Sequence, residues 1–121
     1  MTEAKLVLWP SLAGREIAAR LREIRAAKTA IVESVEQLGA AAPEADVLVI
    51  GGHFFSAKVA EVLRERARRL RFIQSITAGY EGIQAHGVPA DVIVANAGES
   101  WSPGVAEHGM AMLLALTKRL P

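Results

Sequence analysis

The sequence predicts an α/β protein with an open sheet of five parallel strands and helices on both faces. Short apolar, β-branched segments alternate along the chain with segments whose apolar residues recur at helical spacing. The clearest strand, residues 46–50, is a continuous apolar run that ends at Gly51. Such a run is typical of a strand buried on both faces, which is the situation in a parallel sheet.

The first half of the chain predicts strand, helix and strand in turn. Residues 5–9 are a short apolar run closed by a proline, and a helix is expected to begin at Gly14. The apolar face of this helix consists of Ile17, Leu21 and Ile24. Residues 29–35 are apolar and β-branched enough for a second strand, and residues 40–45 are expected to connect it to the third.

The second half continues the alternation. Ser56 is a suitable N-cap for a helix that ends in the basic stretch 64–71. The apolar face of that helix consists of Val59, Ala60, Leu63 and Ala67. Its cations complement the negative helix end, so we interpret them as a solvated terminus and not as a nucleic-acid site. Residues 72–76 and 92–95 predict the last two strands, with a glycine-bearing loop at 77–82.

A long apolar helix is predicted over residues 102–119, with Ser102 as N-cap and Pro103 at the first helical position. Its apolar residues are Val105, Ala106, Met110, Ala111, Met112, Leu113, Leu114, Ala115 and Leu116. A helix that is apolar on all sides must be covered on all sides, and one sheet covers only one of them. The remaining cover is expected from another subunit, from residues absent from this sequence, or from both.

Composition excludes several classes of function. The 121 residues carry 14 Lys and Arg against 13 Asp and Glu, which gives no global attraction to nucleic acid or to an anionic membrane. There is no Cys, and His53, His86 and His108 lack metal-ligand spacing, so no metal site is expected. No apolar run approaches the roughly 20 residues of a membrane span, and no leader is recognisable, so we expect a cytoplasmic protein.

About the last 50 residues contain five short motifs in close succession. The motifs are Leu-Arg-Phe-Ile-Gln-Ser-Ile-Thr-Ala-Gly-Tyr-Glu-Gly-Ile at 70–83, Val-Ala-Asn-Ala-Gly at 94–98, Val-Ala-Glu-His at 105–108, Leu-Leu-Ala-Leu at 113–116 and Lys-Arg-Leu-Pro at 118–121. In order and spacing they resemble the NAD(P)-dependent D-2-hydroxyacid dehydrogenases. The first 70 residues share with that family only the pattern of strands and helices.

The resemblance implies a flavodoxin-like fold. Residues 1–101 correspond to the family's substrate-binding domain and residues 102–121 to its interdomain and dimerisation helix, and the nucleotide-binding domain is absent from this chain. A homodimer through the 102–119 helix is therefore expected. The implied ligand is a small 2-keto or 2-hydroxy acid.

The resemblance also implies a binding site for the substrate carboxylate in the loop that contains Ala78, Gly79 and Tyr80. In the family, backbone amides at the positions of Ala78 and Gly79 hold this group. Successive amides beside a glycine form a concave nest that binds an anion without a side-chain charge. The family usually has Asp where Glu81 stands, a departure that affects a local turn hydrogen bond more than carboxylate binding.

His53, Phe54 and Phe55 follow the third strand, at the place where family members enclose the substrate side chain. They are candidates for specificity, with one of the two phenylalanines expected in the core. The implied cofactor is NAD or NADP in the full-length enzyme. None is expected for this chain alone, because no three glycines have the spacing G-x-G-x-x-G.

The family's catalytic Arg, Glu and His lie in sequence that would follow Pro121, so no catalytic residue is assigned here. Glu107 and His108 are interpreted as residues of the first helical turn. Two functions remain. The chain is the substrate-binding portion of an oxidoreductase that interconverts a 2-keto acid and a D-2-hydroxy acid, or a stand-alone carboxylate-binding or assembly module without catalysis. Turnover of a short 2-keto acid with a nicotinamide cofactor distinguishes them.

Overall fold

The computed structural model describes residues 3–11 and 13–119. Within them, five strands form one sheet in the order β2-β1-β3-β4-β5, and every neighbouring pair is parallel. The strands are β1 Ala4–Trp9, β2 Ala27–Ile31, β3 Val47–Ile50, β4 Phe72–Ser75 and β5 Ile93–Ala95. The α-helices are α1 Gly14–Arg22, α2 Val35–Ala41, α3 Ala57–Arg66, α4 Glu81–His86 and α5 Ser102–Lys118, and short 3₁₀ helices occupy Ala42–Glu44 and Gly52–Phe54. The predicted parallel sheet is confirmed, and its strand order is that of flavodoxin-like folds.

Helices pack on both faces of this sheet. On one face α2, α3 and α4 form the larger core with the strands. Its most deeply buried members include Leu38, Leu48, Ile50, Val59, Leu63 and Ile73. On the other face α1 packs Ala18 in a second cluster with Leu8 and Val49. Because side chains alternate between the two faces of a strand, β1 and β3 are buried on both, which explains their continuous apolar runs.

The face covered by α1 is open over β4 and β5. Phe72 and Ile93 are paired in register there, and Ile93 is 66% exposed. Helix α5 does not cover them, since none of its residues is buried. It exposes large apolar side chains, namely Val105, Met110, Met112, Leu113, Leu114 and Leu116. No helix among the described residues has both the length and the hydropathy needed to cross a bilayer.

The second predicted strand is wrong at its C-terminal end, because β2 stops at Ile31 and α2 begins at Val35. Hydrogen bonds at the start of α2 explain the difference. The hydroxyl of Ser34 accepts a hydrogen bond from the Gln37 amide at 3.2 Å, and the Gln37 side chain accepts one from the Glu33 amide at 2.8 Å. This Ser-x-x-Gln arrangement, related to a capping box, satisfies amides that a helix start leaves unpaired. The residues expected to form the end of a strand therefore start a helix.

The N-cap predicted at Ser56 is confirmed, because its hydroxyl accepts from the Val59 amide at 3.3 Å. The predicted N-cap at Ser102 is wrong by one residue, since Trp101 occupies that position and Ser102 is the first helical residue. Helix α5 ends at Lys118, with Arg119 in the left-handed conformation. Leu120 and Pro121, the end of the predicted helical segment, lie outside the described residues.

The basic stretch 64–71 is not simply a solvated helix end, because α3 already ends at Arg66 and the arginines contact other elements. Arg64 donates to the carbonyl of His86 at 3.0 Å, and Arg66 donates to the carbonyl of Gly39 at 3.3 Å. These hydrogen bonds connect α3 to the end of α4 and to α2. The stretch therefore stabilises the packing of helices around the larger core.

Asp46 connects the chain before β3 with two other segments. Its carboxylate accepts hydrogen bonds from the Lys5 amide at 2.8 Å and from the Arg69 guanidinium at 3.1 Å. The hydrogen bond from the Lys5 backbone, supported by Arg69, holds the pKa of Asp46 below its ordinary value of 3.8. A carboxyl group whose pKa is lower in the folded chain stabilises the fold above the unfolded pKa. That contribution disappears as the pH falls through the folded pKa.

We expect Asp46→Asn to lower the free energy of unfolding by about 1 kcal/mol at neutral pH, since a charge-assisted hydrogen bond becomes a weaker neutral one. The wild-type chain should then lose part of this advantage as the pH falls below about 4. Urea denaturation at several pH values measures both effects. Glu44→Gln, at an exposed position of the 3₁₀ helix Ala42–Glu44, serves as control and should leave the free energy of unfolding at neutral pH unchanged. Parallel profiles for Asp46→Asn and the wild type would contradict the assignment.

Candidate functional site

The loops that follow β3 and β4 lie side by side, because Ile50 and Ser75 end the two strands in register. This edge of a parallel sheet is where ligands bind in open α/β folds. The structure thus brings together the loop that contains His53 and the loop that contains Ala78, Gly79 and Tyr80.

A very close backbone contact joins these two loops at Gly52. Its amide donates to the Thr77 hydroxyl at 3.0 Å. A Cβ at Gly52 would overlap the carbonyl oxygen of Gly79 and lie 2.7 Å from the Thr77 hydroxyl. Gly82, at the start of α4, is equally restricted, because a Cβ there would overlap the carbonyl of Phe55. Only glycine allows the two backbones to approach this closely.

Two hydroxyl groups stabilise the conformation of the loop after β4, which contains Ala78, Gly79 and Tyr80. Ser75 is fully buried, and its hydroxyl lies 3.0 Å from the Thr77 carbonyl oxygen. The Thr77 hydroxyl donates to the Gly79 carbonyl at 2.9 Å while accepting from the Gly52 amide. A buried hydroxyl without partners is costly, so each of these bonds stabilises the observed loop conformation.

The loop between β5 and α5 holds the same segment from another side. Asn96 donates from its side-chain amide to the Ala78 carbonyl at 2.8 Å, and the Ala97 amide donates to the Thr77 carbonyl at 3.2 Å. The indole of Trp101 donates to the Ile76 carbonyl at 3.2 Å. Our sequence reasoning did not assign these residues. An amide side chain directly after a strand, at the ligand-binding edge, was the available signal for Asn96.

The result is a loop whose carbonyls are paired and whose amides are not. The carbonyl oxygens of Thr77, Ala78 and Gly79 all accept hydrogen bonds from the chain. The amides of Ala78 and Gly79 donate to no acceptor within residues 3–11 and 13–119. Since peptide N–H groups are strong donors, a pair of neighbouring unpaired amides is able to bind an anion.

Tyr80 lies between the unpaired amides and a groove beside the edge strand β5. Its side chain is 43% exposed and borders an open groove of about 500 Å³. The groove is also lined by Ile83, Gln84, Val94, Ala95 and Asn96. Tyr80 is therefore accessible beside the amides, and Asn96 contributes both to the groove and to the position of the loop.

Aromatic side chains stand on the other side of Gly52. Trp9 and Phe54 are stacked with ring centroids 5.3 Å apart, and His53 lies 4.2 Å from the Phe54 ring. His53 is exposed and Phe54 is half-buried, so both are able to contact a ligand. Phe55 is 2% exposed and belongs to the core, which makes it the phenylalanine with a packing role. Sequence reasoning did not identify the stack of Trp9 on Phe54.

The charges around the loop are few. Between Phe72 and Thr117 the sequence contains no Lys or Arg, so anion binding here relies on backbone donors. No cluster of three or more His, Cys, Asp or Glu side chains suited to a metal occurs among the described residues. The arrangement is thus suited to holding one small anion at the unpaired amides, with His53 and Phe54 in the neighbouring loop and the exposed Tyr80 beside them.

Comparison with known proteins defines the class of fold. No family model matches the chain, and no curated protein matches it. Among solved structures, the chain is similar to the D-isomer specific 2-hydroxyacid dehydrogenase family protein from Aeromonas salmonicida subsp. salmonicida A449, with a TM-score of 0.74 and 20% sequence identity. The similarity covers 99% of this chain and 37% of that one. This chain therefore has the fold of part of that protein, which confirms the fold expected from the resemblance.

We expect Gly52→Ala to destabilise the protein by about 1–3 kcal/mol, because the added methyl group displaces the Gly79 carbonyl. It should also shift the backbone amide resonances of Thr77, Ala78 and Gly79. Gly39→Ala is the matched control, since a Cβ there meets its nearest atom at 3.8 Å and improves helix propensity in α2. Urea denaturation and ¹H–¹⁵N spectra measure these effects. Equal stability of the two variants would contradict the close contact.

Proposed function

We propose that this chain is the substrate-binding domain of a nicotinamide-dependent oxidoreductase that interconverts a small 2-keto acid and a D-2-hydroxy acid. The observation that carries the proposal is the pair of amides at Ala78 and Gly79, which have no acceptor among the described residues. The motifs around them and the fold similarity to part of a D-isomer specific 2-hydroxyacid dehydrogenase family protein support it.

In this proposal the amides of Ala78 and Gly79 hold the substrate carboxylate, and the pairing of their carbonyls keeps them oriented. Because no rearrangement is needed when the anion binds, little free energy is lost in ordering the loop. In this arrangement His53 and Phe54 contact the substrate's side chain, which is attached to its keto carbon opposite the carboxylate. Tyr80 forms the boundary between the site and the groove. Each of these residues binds or orients, and we assign none of them a role in catalysis.

The proposed cofactor is NAD or NADP, which supplies or accepts a hydride when bound. The glycines that follow β3 do not fit it. Gly51 and Gly52 follow a strand, as fingerprint glycines do, but the space beside Gly52 is filled by Gly79 and Thr77. Gly52 also begins a three-residue 3₁₀ helix, which separates the glycines from the start of α3. A dinucleotide pyrophosphate requires open space at the start of a longer helix. We therefore place the nucleotide site outside this chain and derive no hydride-transfer step from its residues.

The carboxylate site is tested by titrating glyoxylate into the ¹⁵N-labelled chain and following the amides of Ala78 and Gly79. We expect both resonances to shift in the wild type and neither to shift in Gly79→Val, because the larger side chain crowds the amides. The three atoms nearest to a Cβ at this position all belong to the movable carboxylate of Glu81, so the variant should fold. Ala85→Val, on the exposed side of α4, is the control and should bind as the wild type does. Shifts confined to other residues would relocate the site.

We also propose that the chain forms a homodimer through the helix at 102–119. The exposed apolar side chains of α5 support this, since an exposed helix with this composition is costly in water. A second copy offers a matching apolar helix, and symmetric pairing of identical surfaces is the commonest mode of association.

Light scattering of the chain should give at least twice the monomer mass of 12.9 kDa. Leu116→Glu should lower the mass towards that of the monomer, because Leu116 is 75% exposed on α5 and a charge there opposes burial. Ile24→Glu, at an exposed apolar position after α1, is the matched control and should leave the mass unchanged. A monodisperse wild-type monomer would refute the proposal.

A further inference from the structure

The carboxylate of Glu81 lies close to Gly79, one of the two residues with an unpaired amide. A Cβ built on Gly79 would be 2.8 Å from one carboxylate oxygen of Glu81 and 3.4 Å from the other. The side chain is exposed, and it forms no ion pair within the part of the chain that the structure describes. A full negative charge thus adjoins a site whose donors favour an anion.

No cation compensates this charge nearby in the sequence. The segment from Phe72 to Thr117 has no Lys or Arg, and the arginine that contacts α4, Arg64, binds at the opposite end of the helix, to His86. Around the site, the loops after β3 and β5 add only His53 and Glu99 as side chains able to carry charge. The local balance of charge is therefore acidic, although the net charge of the chain is +1.

This acidic surrounding affects the binding of ligands with one negative charge less than the binding of ligands with two. The two unpaired amides are able to bind one carboxylate group of a ligand. A second anionic group that lies beside Glu81 adds repulsion from its carboxylate. Like charges about 4 Å apart in water weaken binding by roughly fivefold.

We propose that Glu81 makes this site selective for monocarboxylates and excludes ligands with a second negative charge, such as dicarboxylates and phosphate esters. The inference rests on the proposed function, because it assumes that the amides of Ala78 and Gly79 hold the carboxylate. Glu81 acts here as a specificity-determining residue, through charge and not through contact with a reacting atom.

D-Lactate and tartronate test the inference, since they differ only by a methyl group in place of a second carboxylate. Both are titrated into the labelled chain at low ionic strength, with the amides of Ala78 and Gly79 as the readout. We expect the wild type to bind D-lactate about fivefold more tightly than tartronate. Glu81→Gln should reduce this ratio to near unity, and raising the salt concentration should shrink it in the wild type.

Two further variants separate charge from structure. Glu81→Asp keeps the charge and should keep most of the preference, while Glu65→Gln removes an equal charge from exposed α3 and should change nothing. An unchanged ratio in Glu81→Gln, or equal affinities in the wild type, would overturn the inference while leaving the carboxylate site intact. If neither ligand shifts the amides of Ala78 and Gly79, the proposed function itself fails, and the role of Glu81 fails with it.

Discussion

The contact between the backbone at Gly52 and the carbonyl of Gly79 is the constraint on which the candidate site depends. It forces the loops after β3 and β4 into van der Waals contact at a point where no side chain fits. The Thr77 hydroxyl completes the contact by accepting from one loop and donating to the other. Because the strands fix where both loops begin, the contact leaves the second loop very little freedom.

The same constraint explains why the unpaired groups of this loop are donors. The carbonyl oxygens from Ile76 to Gly79 are bound by the hydroxyls of Ser75 and Thr77, by Asn96 and by the indole of Trp101. With the carbonyls held on the protein side, the amides of Ala78 and Gly79 have no acceptor in the described chain. The chemistry of the site is thus determined by the backbone, and the neighbouring carboxylate of Glu81 modifies it.

Sequence patterns predicted the elements best where burial alone determines structure. The runs that became β1 and β3 are buried on both faces, so apolar composition was a sufficient signal. The pattern was misleading at Ser34, where the Ser34 hydroxyl caps the Gln37 amide and the Gln37 side chain accepts from the Glu33 amide, so that a helix begins among β-branched residues. It was also insufficient for the arginines after α3, because their acceptors are backbone carbonyls distant in the sequence. Hydropathy does not encode such partners.

By itself, the sequence determined the alternating α/β architecture, the loop with Ala78 and Gly79 as a candidate anion site, and the apolar composition of the last helix. The architecture and the composition of the last helix follow from local periodicity and composition, whereas the anion site was implied by the resemblance of the motif at 70–83 to a known family. Only the tertiary structure decided that Phe55 is core while Phe54 stacks on Trp9, that Asn96 and Trp101 support the loop, and that Glu81 adjoins it. These facts depend on which strands are neighbours, and strand order brings together residues whose separation in the sequence carries no sign of contact.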